Sequence, residues 1–157
     1  ESIFQELVQQ FPVQPHYSAA LARTALEANN YKVALERYQK LSRQFPENDS
    51  IKIEYVGALL KAGEPNNAKD VLLQLSSKTQ SLPIFSQLLA QIYGDLNQPA
   101  ESHRYLADYY FAMGETQQAI LQIRLAQQIR NISPQLVAIL HEKLAFLLAT
   151  DEQERHR

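Results

Sequence analysis

The chain has 157 residues, a formal net charge of −2 and no cysteine, which excludes disulfides and thiolate metal sites. Its length suits one ordinary domain or four helix pairs of a repeat protein. The net charge lacks the basic footprint of a nucleic-acid-binding protein, so we expect no nucleic-acid partner. No apolar run reaches the ~18–20 residues of a membrane span, so we expect no insertion into a membrane.

Apolar residues with helical spacing, separated by proline, glycine and asparagine, predict eight helices and no strand. A short amphipathic stretch over 3–11 precedes them. The predicted helices span about 16–28, 31–45, 50–62, 65–76, 83–96, 100–113, 116–129 and 134–149.

The predicted helix ends carry recognisable start and stop residues. Asp49 or Ser50 is expected to cap the third helix, because short polar side chains bind the free N–H groups of a first turn. Gly63 and Gly114 are expected to end the third and sixth helices. Pro134 follows Ser133 and is expected to begin the eighth helix.

A small residue recurs every 34 residues, at Ala34, Ala68 and Ser102. A two-helix repeat of this length resembles the tetratricopeptide repeat, in which a small residue lets two helix backbones approach closely. We therefore predict an all-α fold, a tetratricopeptide-repeat α-solenoid of about eight helices in antiparallel pairs. Ala119 follows half a period after Ser102, which leaves two alternatives: the helix over 100–113 serves two overlapping repeats, or the final pair has drifted.

The predicted organisation has three parts. Residues 1–14 are interpreted as a linker or short helix from a preceding domain, residues 15–149 as the tetratricopeptide-repeat domain, and residues 150–157 as a polar C-terminal tail. Because the chain begins with Glu1 rather than methionine, we expect it to be a segment of a longer protein.

Candidate catalytic and metal-binding residues are few. The sequence from His141 to Ala145 differs from the zinc-protease motif H-E-x-x-H at the second zinc ligand, which is alanine here. We interpret this stretch as a polar helix face opposite apolar residues. The prediction is a chain without catalytic residues, metal or cofactor, and therefore without enzymatic activity of its own.

The helix over 100–113 carries charged and aromatic residues that could belong to a binding surface. Arg104 and Asp108 have the i,i+4 spacing of an ion pair on a solvated face. Two or three members of an aromatic group are expected in the core, and one exposed tyrosine could anchor a partner. The group consists of Tyr105, Tyr109, Tyr110 and Phe111.

In tetratricopeptide folds the first helix of each pair lines the concave surface, and this pattern can be transferred by position. The predicted partner-binding residues are His16, Arg23, Glu27, Ile53, Lys61, Gln87, Gln91 and Asp95. This set is mixed and weakly charged. It lacks the Lys/Asn pattern with which some family members clamp a C-terminal carboxylate, so a receptor for chaperone tails is disfavoured.

Three runs in the second half of the chain carry a more specific resemblance. They are Leu88-Leu89-Ala90-Gln91-Ile92-Tyr93-Gly94, residues 100–110 and residues 114–122. Together with the opening run over 16–21, they resemble the C-terminal repeat region of bacterial periplasmic zinc metallopeptidases of the β-barrel-assembly-enhancing type.

This resemblance implies a parent with an N-terminal H-E-x-x-H protease domain in the periplasm, which handles outer-membrane proteins and their assembly machinery. The chain would be its docking or substrate-presenting arm. Its partners would be proteins or peptides, among them outer-membrane proteins, that machinery and the parent protease domain. The alternative is a tetratricopeptide scaffold or adaptor unconnected to a protease, in cell-envelope assembly or secretion.

Overall fold

The computed structural model describes Ile3 and residues 15–156, and every regular element in this part of the chain is a helix. The helices are α1 (Pro15–Glu27), α2 (Tyr31–Gln44), α3 (Asp49–Lys61), α4 (Pro65–Leu72), α5 (Ser77–Gln80), α6 (Pro83–Asp95), α7 (Pro99–Ala112), α8 (Thr116–Gln127) and α9 (Pro134–Arg155). The predicted all-α fold is confirmed. The stretch predicted over 3–11 lies outside the described residues except for Ile3. Every helix in the described part of the chain is too short or too polar to span a membrane.

Most helix ends lie where the sequence predicts them. Gly63 and Gly114 lie two residues beyond the last residues of α3 and α7 and have φ angles of +77° and +79°, a conformation that glycine adopts without strain. The Ser133 side chain accepts a hydrogen bond from the Leu136 N–H at the start of α9. The predicted cap of α3 is wrong, because Asn48 accepts the Ile51 N–H there while the Asp49 carboxylate accepts that of Ser76.

Two helices differ in length from the expectation, for local reasons. α4 ends at Leu72 rather than near Ser76. Beyond Leu73 the backbone hydrogen bonds span three residues instead of four, as in a turn, with the Leu75 N–H donating to the Leu72 carbonyl. α9 continues past Ala149 to Arg155. Side chains of α8 bind this polar end: the Thr116 hydroxyl pairs with Glu154, and the Gln117 amide donates to Asp151.

The chain forms two compact units, residues 1–76 and 77–157. In the first unit, α1 packs on α2, α2 on α3 and α3 on α4. Ala34 and Ala68 have no exposed surface, so the two small residues of the predicted repeat lie at close helix contacts. The larger side chains beside them, Tyr38 and Leu72, are also buried.

In the second unit, α6 packs on α7, α7 on α8 and α8 on α9. The Ser102 hydroxyl donates to the Ala90 carbonyl across 2.7 Å, which joins α7 to α6, and Ala119 of α8 is fully buried. α7 packs as closely against α8 as against α6. This favours the first alternative, in which one helix serves two overlapping pairs.

Candidate protein-binding site

An ion pair joins α7 to α9 in the second unit. The Lys143 ammonium donates to Asp108 Oδ1 across 2.6 Å, and both side chains are about one-third exposed. The predicted pair between Arg104 and Asp108 is therefore wrong. Arg104 instead donates to Glu101 across 2.6 Å, and its guanidinium lies over the Tyr105 ring, 4.3 Å from the centroid. Asp108 is thereby free to bind the neighbouring helix.

A pocket of about 250 Å³ opens beside this ion pair, between α7 and α9. Its lining consists of Ala107, Asp108, Phe111, Lys143, Phe146 and Leu147. The rings of Phe111 and Phe146 meet edge to face with their centroids 5.4 Å apart, and the two residues are 36% and 57% exposed. The volume lies below the ~300–1,000 Å³ of typical small-molecule sites and suits a single large apolar side chain.

The chemistry of the pocket is that of a contact surface. Covering the exposed phenylalanine rings with a partner stabilises the complex by roughly 25 cal/mol per Å² of apolar surface removed from water. The ion pair at the edge carries no net charge and links the two helices. Within the part of the chain that the structure describes, no group of three or more histidine, aspartate and glutamate side chains is placed to hold a metal ion.

The eight predicted partner-binding residues lie on three first helices and not in this pocket. α1 carries His16, Arg23 and Glu27, and α3 carries Ile53 and Lys61. α6, in the second unit, carries Gln87, Gln91 and Asp95. All are exposed except Ile53, which is half-buried. Their role in binding stays a prediction.

One of the predicted residues takes part in a polar network of the first unit. Arg23 Nη2 donates to Glu54 Oε1 across 2.9 Å, and the Tyr38 hydroxyl donates to Glu54 Oε2 across 3.0 Å. Burial, followed by the charge and hydrogen bond of Glu54, raises the pKa of Tyr38 well above its ordinary value. The hydrogen bond from Arg23 to Glu54 similarly raises the pKa of Arg23. These bonds hold α1, α2 and α3 together.

Of the two phenylalanines of the pocket, the sequence analysis identifies Phe111 only as a member of an aromatic group and misses Phe146. Tyr105, Tyr109 and Tyr110 are half-buried, so the exposed aromatic residue at the end of α7 is Phe111 rather than a tyrosine. Phe146 is missed because the preceding stretch, from His141 to Ala145, is interpreted as a polar helix face opposite apolar residues. The available signal was that α9 has apolar residues on more than one stripe, among them Phe146 and Val137.

Comparisons with known proteins agree with this architecture. Residues 25–92 match the family model of the tetratricopeptide repeat. A thermophilic tetratricopeptide-repeat protein of Thermus thermophilus superposes with a TM-score of 0.55 at 18% identity, over 92% of this chain and 88% of that one. The chain has a tetratricopeptide-repeat fold. No curated protein matches the sequence.

The tetratricopeptide-repeat fold bears directly on the class of function. It is typically non-catalytic and serves as a scaffold for protein–protein interaction, binding proteins or peptides. The exposed pocket between α7 and α9 is a surface of the kind that such a scaffold presents.

Proposed function

We propose that this tetratricopeptide-repeat domain is a non-catalytic docking domain that binds an extended, apolar protein segment through the pocket between α7 and α9. One observation carries the proposal: two exposed phenylalanine rings, Phe111 and Phe146, form the walls of a cavity sized for one side chain. Clustered aromatic residues around a pocket are the usual anchors of a protein interface. The partner's apolar side chain would occupy the cavity.

More specifically, we propose that the domain is the docking or substrate-presenting arm of a periplasmic zinc metallopeptidase in outer-membrane protein quality control. This proposal is supported by three runs, over 88–94, 100–110 and 114–122, which resemble the C-terminal repeat region of such enzymes and lie on α6, α7 and α8. Zinc and the catalytic residues would belong to the parent protease domain, and this chain would carry no cofactor.

The chemistry of unfolded outer-membrane proteins fits such a pocket. Their strands alternate apolar and polar residues and carry aromatic girdles, so the unfolded chain presents isolated aromatic side chains in extended segments. A cavity that accepts one apolar side chain can bind such a segment at many places. This would make the domain a receptor for a sequence pattern rather than for one sequence.

A peptide titration tests binding in the pocket. The probe is a fluorescein-labelled ten-residue peptide that alternates threonine with valine and carries one central phenylalanine. The control peptide has serine in place of that phenylalanine. We expect the Phe146→Ala variant to bind the probe at least ~10-fold more weakly than the unsubstituted chain does. The serine peptide should bind weakly to both the variant and the unsubstituted chain. Equal binding of the two peptides would contradict the proposal.

The proposed parent is tested separately, by determining the gene sequence upstream of the codon for Glu1. A signal peptide and a helix with H-E-x-x-H would support the metallopeptidase arm. If neither is encoded, the metallopeptidase proposal fails, and the alternative of an envelope scaffold or adaptor remains.

A further inference from the structure

The ion pair and the two phenylalanine rings of the pocket are two successive contacts between the same helices. Asp108 precedes Phe111 by three residues on α7, and Lys143 precedes Phe146 by three residues on α9. The two contacts therefore have the same register, and α7 and α9 run in the same direction here. A rise of 1.5 Å per residue places the ion pair about 4.5 Å from the rings along the helices.

The ion pair has unused hydrogen-bonding capacity. Within the described part of the chain, the bond from Lys143 Nζ to Asp108 Oδ1 is the one side-chain hydrogen bond that either residue makes. An ammonium has three N–H donors and a carboxylate has two acceptor oxygens, so two donors of Lys143 and Asp108 Oδ2 stay available. Both side chains are about one-third exposed and line the pocket, so a molecule bound there can reach these groups.

Donors beside an acceptor match the main chain of one residue in an extended polypeptide. In an extended strand, the N–H and C=O of one residue point to the same side, and those of its neighbours point to the opposite side. A hydrogen-bonded neighbour lies about 4.8 Å to the side of a strand, which is close to the spacing of the ion pair and the rings. A segment that crosses α7 and α9 at the level of the rings can therefore aim one N–H and one C=O at the ion pair.

Other kinds of occupant match the ion pair less well. The N–H and C=O groups of a helix bond to one another within the helix, so they are not available to Lys143 and Asp108. An apolar small molecule would cover the pocket and leave the donors and the acceptor without partners, which costs free energy. The other four lining residues are apolar, so the side chains of the ion pair are the polar part of the pocket lining.

We infer that Lys143 and Asp108 bind the main chain of the residue whose side chain enters the pocket. Lys143 Nζ donates to the carbonyl oxygen of that residue, and the N–H of the same residue donates to Asp108 Oδ2. This inference rests on the proposed function, because it assigns the ion pair a part in binding the same segment. Lys143 and Asp108 thereby select the extended conformation, whereas the rings select the apolar side chain.

Ester-containing peptides test the inference with the 157-residue chain. The reference is the labelled alternating peptide with one central phenylalanine. In the test peptide an ester oxygen replaces the N–H of that phenylalanine, and in the control peptide the ester lies one residue earlier, where the N–H would point away from the ion pair. We expect the test ester to weaken binding at least ~5-fold and the control ester to change it by less than about 2-fold.

Variants of the ion pair show which side chain accepts the lost hydrogen bond. In Asp108→Ala, the test ester should bind as well as the reference peptide does. In Lys143→Met, which keeps the carboxylate, the test ester should still bind at least ~5-fold more weakly than the reference. Circular dichroism shows that each variant is folded. An ester penalty of the same size in Asp108→Ala as in the unsubstituted chain would overturn the inference.

The inference and the proposed function fail in different ways. If the phenylalanine and serine peptides bind equally, the docking function fails and the inference fails with it. If phenylalanine raises the affinity but its ester costs nothing in the unsubstituted chain, only the role of the ion pair is overturned. Tighter binding of a helix-constrained phenylalanine peptide would also overturn that role, because a helix has no free N–H for Asp108.

Discussion

The Tyr38 hydroxyl donates a hydrogen bond to Glu54 Oε2 across 3.0 Å, and this bond joins α2 to α3. The other oxygen of the same carboxylate accepts from Arg23 of α1. One side chain of α3 thus holds the two preceding helices. Tyr38 is only 1% exposed, so the contact is built into the core of the first unit rather than added at its surface.

The Tyr38→Phe variant tests how much this hydrogen bond contributes to the free energy of unfolding. Hydrogen bonds to charged groups contribute about 1.5–3 kcal/mol, and the ring packing is kept, so we expect the free energy of unfolding to fall by about that amount. Urea denaturation measures it. The control is Tyr31→Phe, whose exposed hydroxyl donates to Asn29 Oδ1, and it should change stability by less than about 0.5 kcal/mol. Equal effects of the two substitutions would contradict the assignment.

The raised pKa of Tyr38 predicts a loss of stability at alkaline pH. A free tyrosine has a pKa of about 10, and the folded value is higher, so above pH 10 the folded state retains a proton that the unfolded state loses. The stabilisation is therefore fully present below about pH 10 and decreases as the pH rises, by at most about 1.4 kcal/mol per pH unit for this group. Denaturation between pH 9 and 11 should give a smaller decrease for Tyr38→Phe than for the parent chain. Parallel profiles would contradict the assignment.

The small residues of the repeat should not tolerate enlargement. Ala34 and Ala68 are fully buried, so Ala34→Leu and Ala68→Leu should each destabilise the chain by about 1–3 kcal/mol through overpacking. Thermal melting followed by circular dichroism provides the measurement. The matched control is Ala149→Leu on the exposed side of α9, for which we expect little change. Unchanged melting of both buried variants would show that the repeat register is wrong.

The turn between α6 and α7 depends on an unusual backbone conformation. Asn97 has a φ angle of +56°, in the left-handed region that asparagine and glycine tolerate better than other residues. We expect Asn97→Gly to be nearly neutral and Asn97→Ala to cost about 1 kcal/mol, measured by urea denaturation. If alanine were as stable as glycine there, this conformation would not limit the turn.

The fold could be predicted from the sequence largely because its signals are local and repeated. The positions of Ala34, Ala68 and Gly114 follow from periodicity and from backbone preferences that act within one turn. The cap of α3 could not be predicted, because Asp49 and Asn48 are equally suitable and a bond to Ser76 decides between them. The extension of α9 depends in the same way on contacts with α8.

The candidate site was less predictable than the fold. The spacing of Arg104 and Asp108 permits an ion pair, but the partner that Asp108 binds is Lys143, 35 residues along the chain. The pocket forms only where α7 and α9 lie side by side, and no local sequence pattern encodes that arrangement. An apolar residue on a second stripe of α9, such as Phe146, was the available clue.

The most direct test of the docking pocket is a methyl NMR titration of the full chain with the alternating phenylalanine peptide. We expect the largest shifts at the methyl groups of Ala107 and Leu147, which line the pocket, with Ile53 on α3 unchanged. The Phe146→Ala variant should lose these shifts. Shifts at Ile53 with Ala107 and Leu147 unchanged would contradict the account and would favour the surface formed by the first helices.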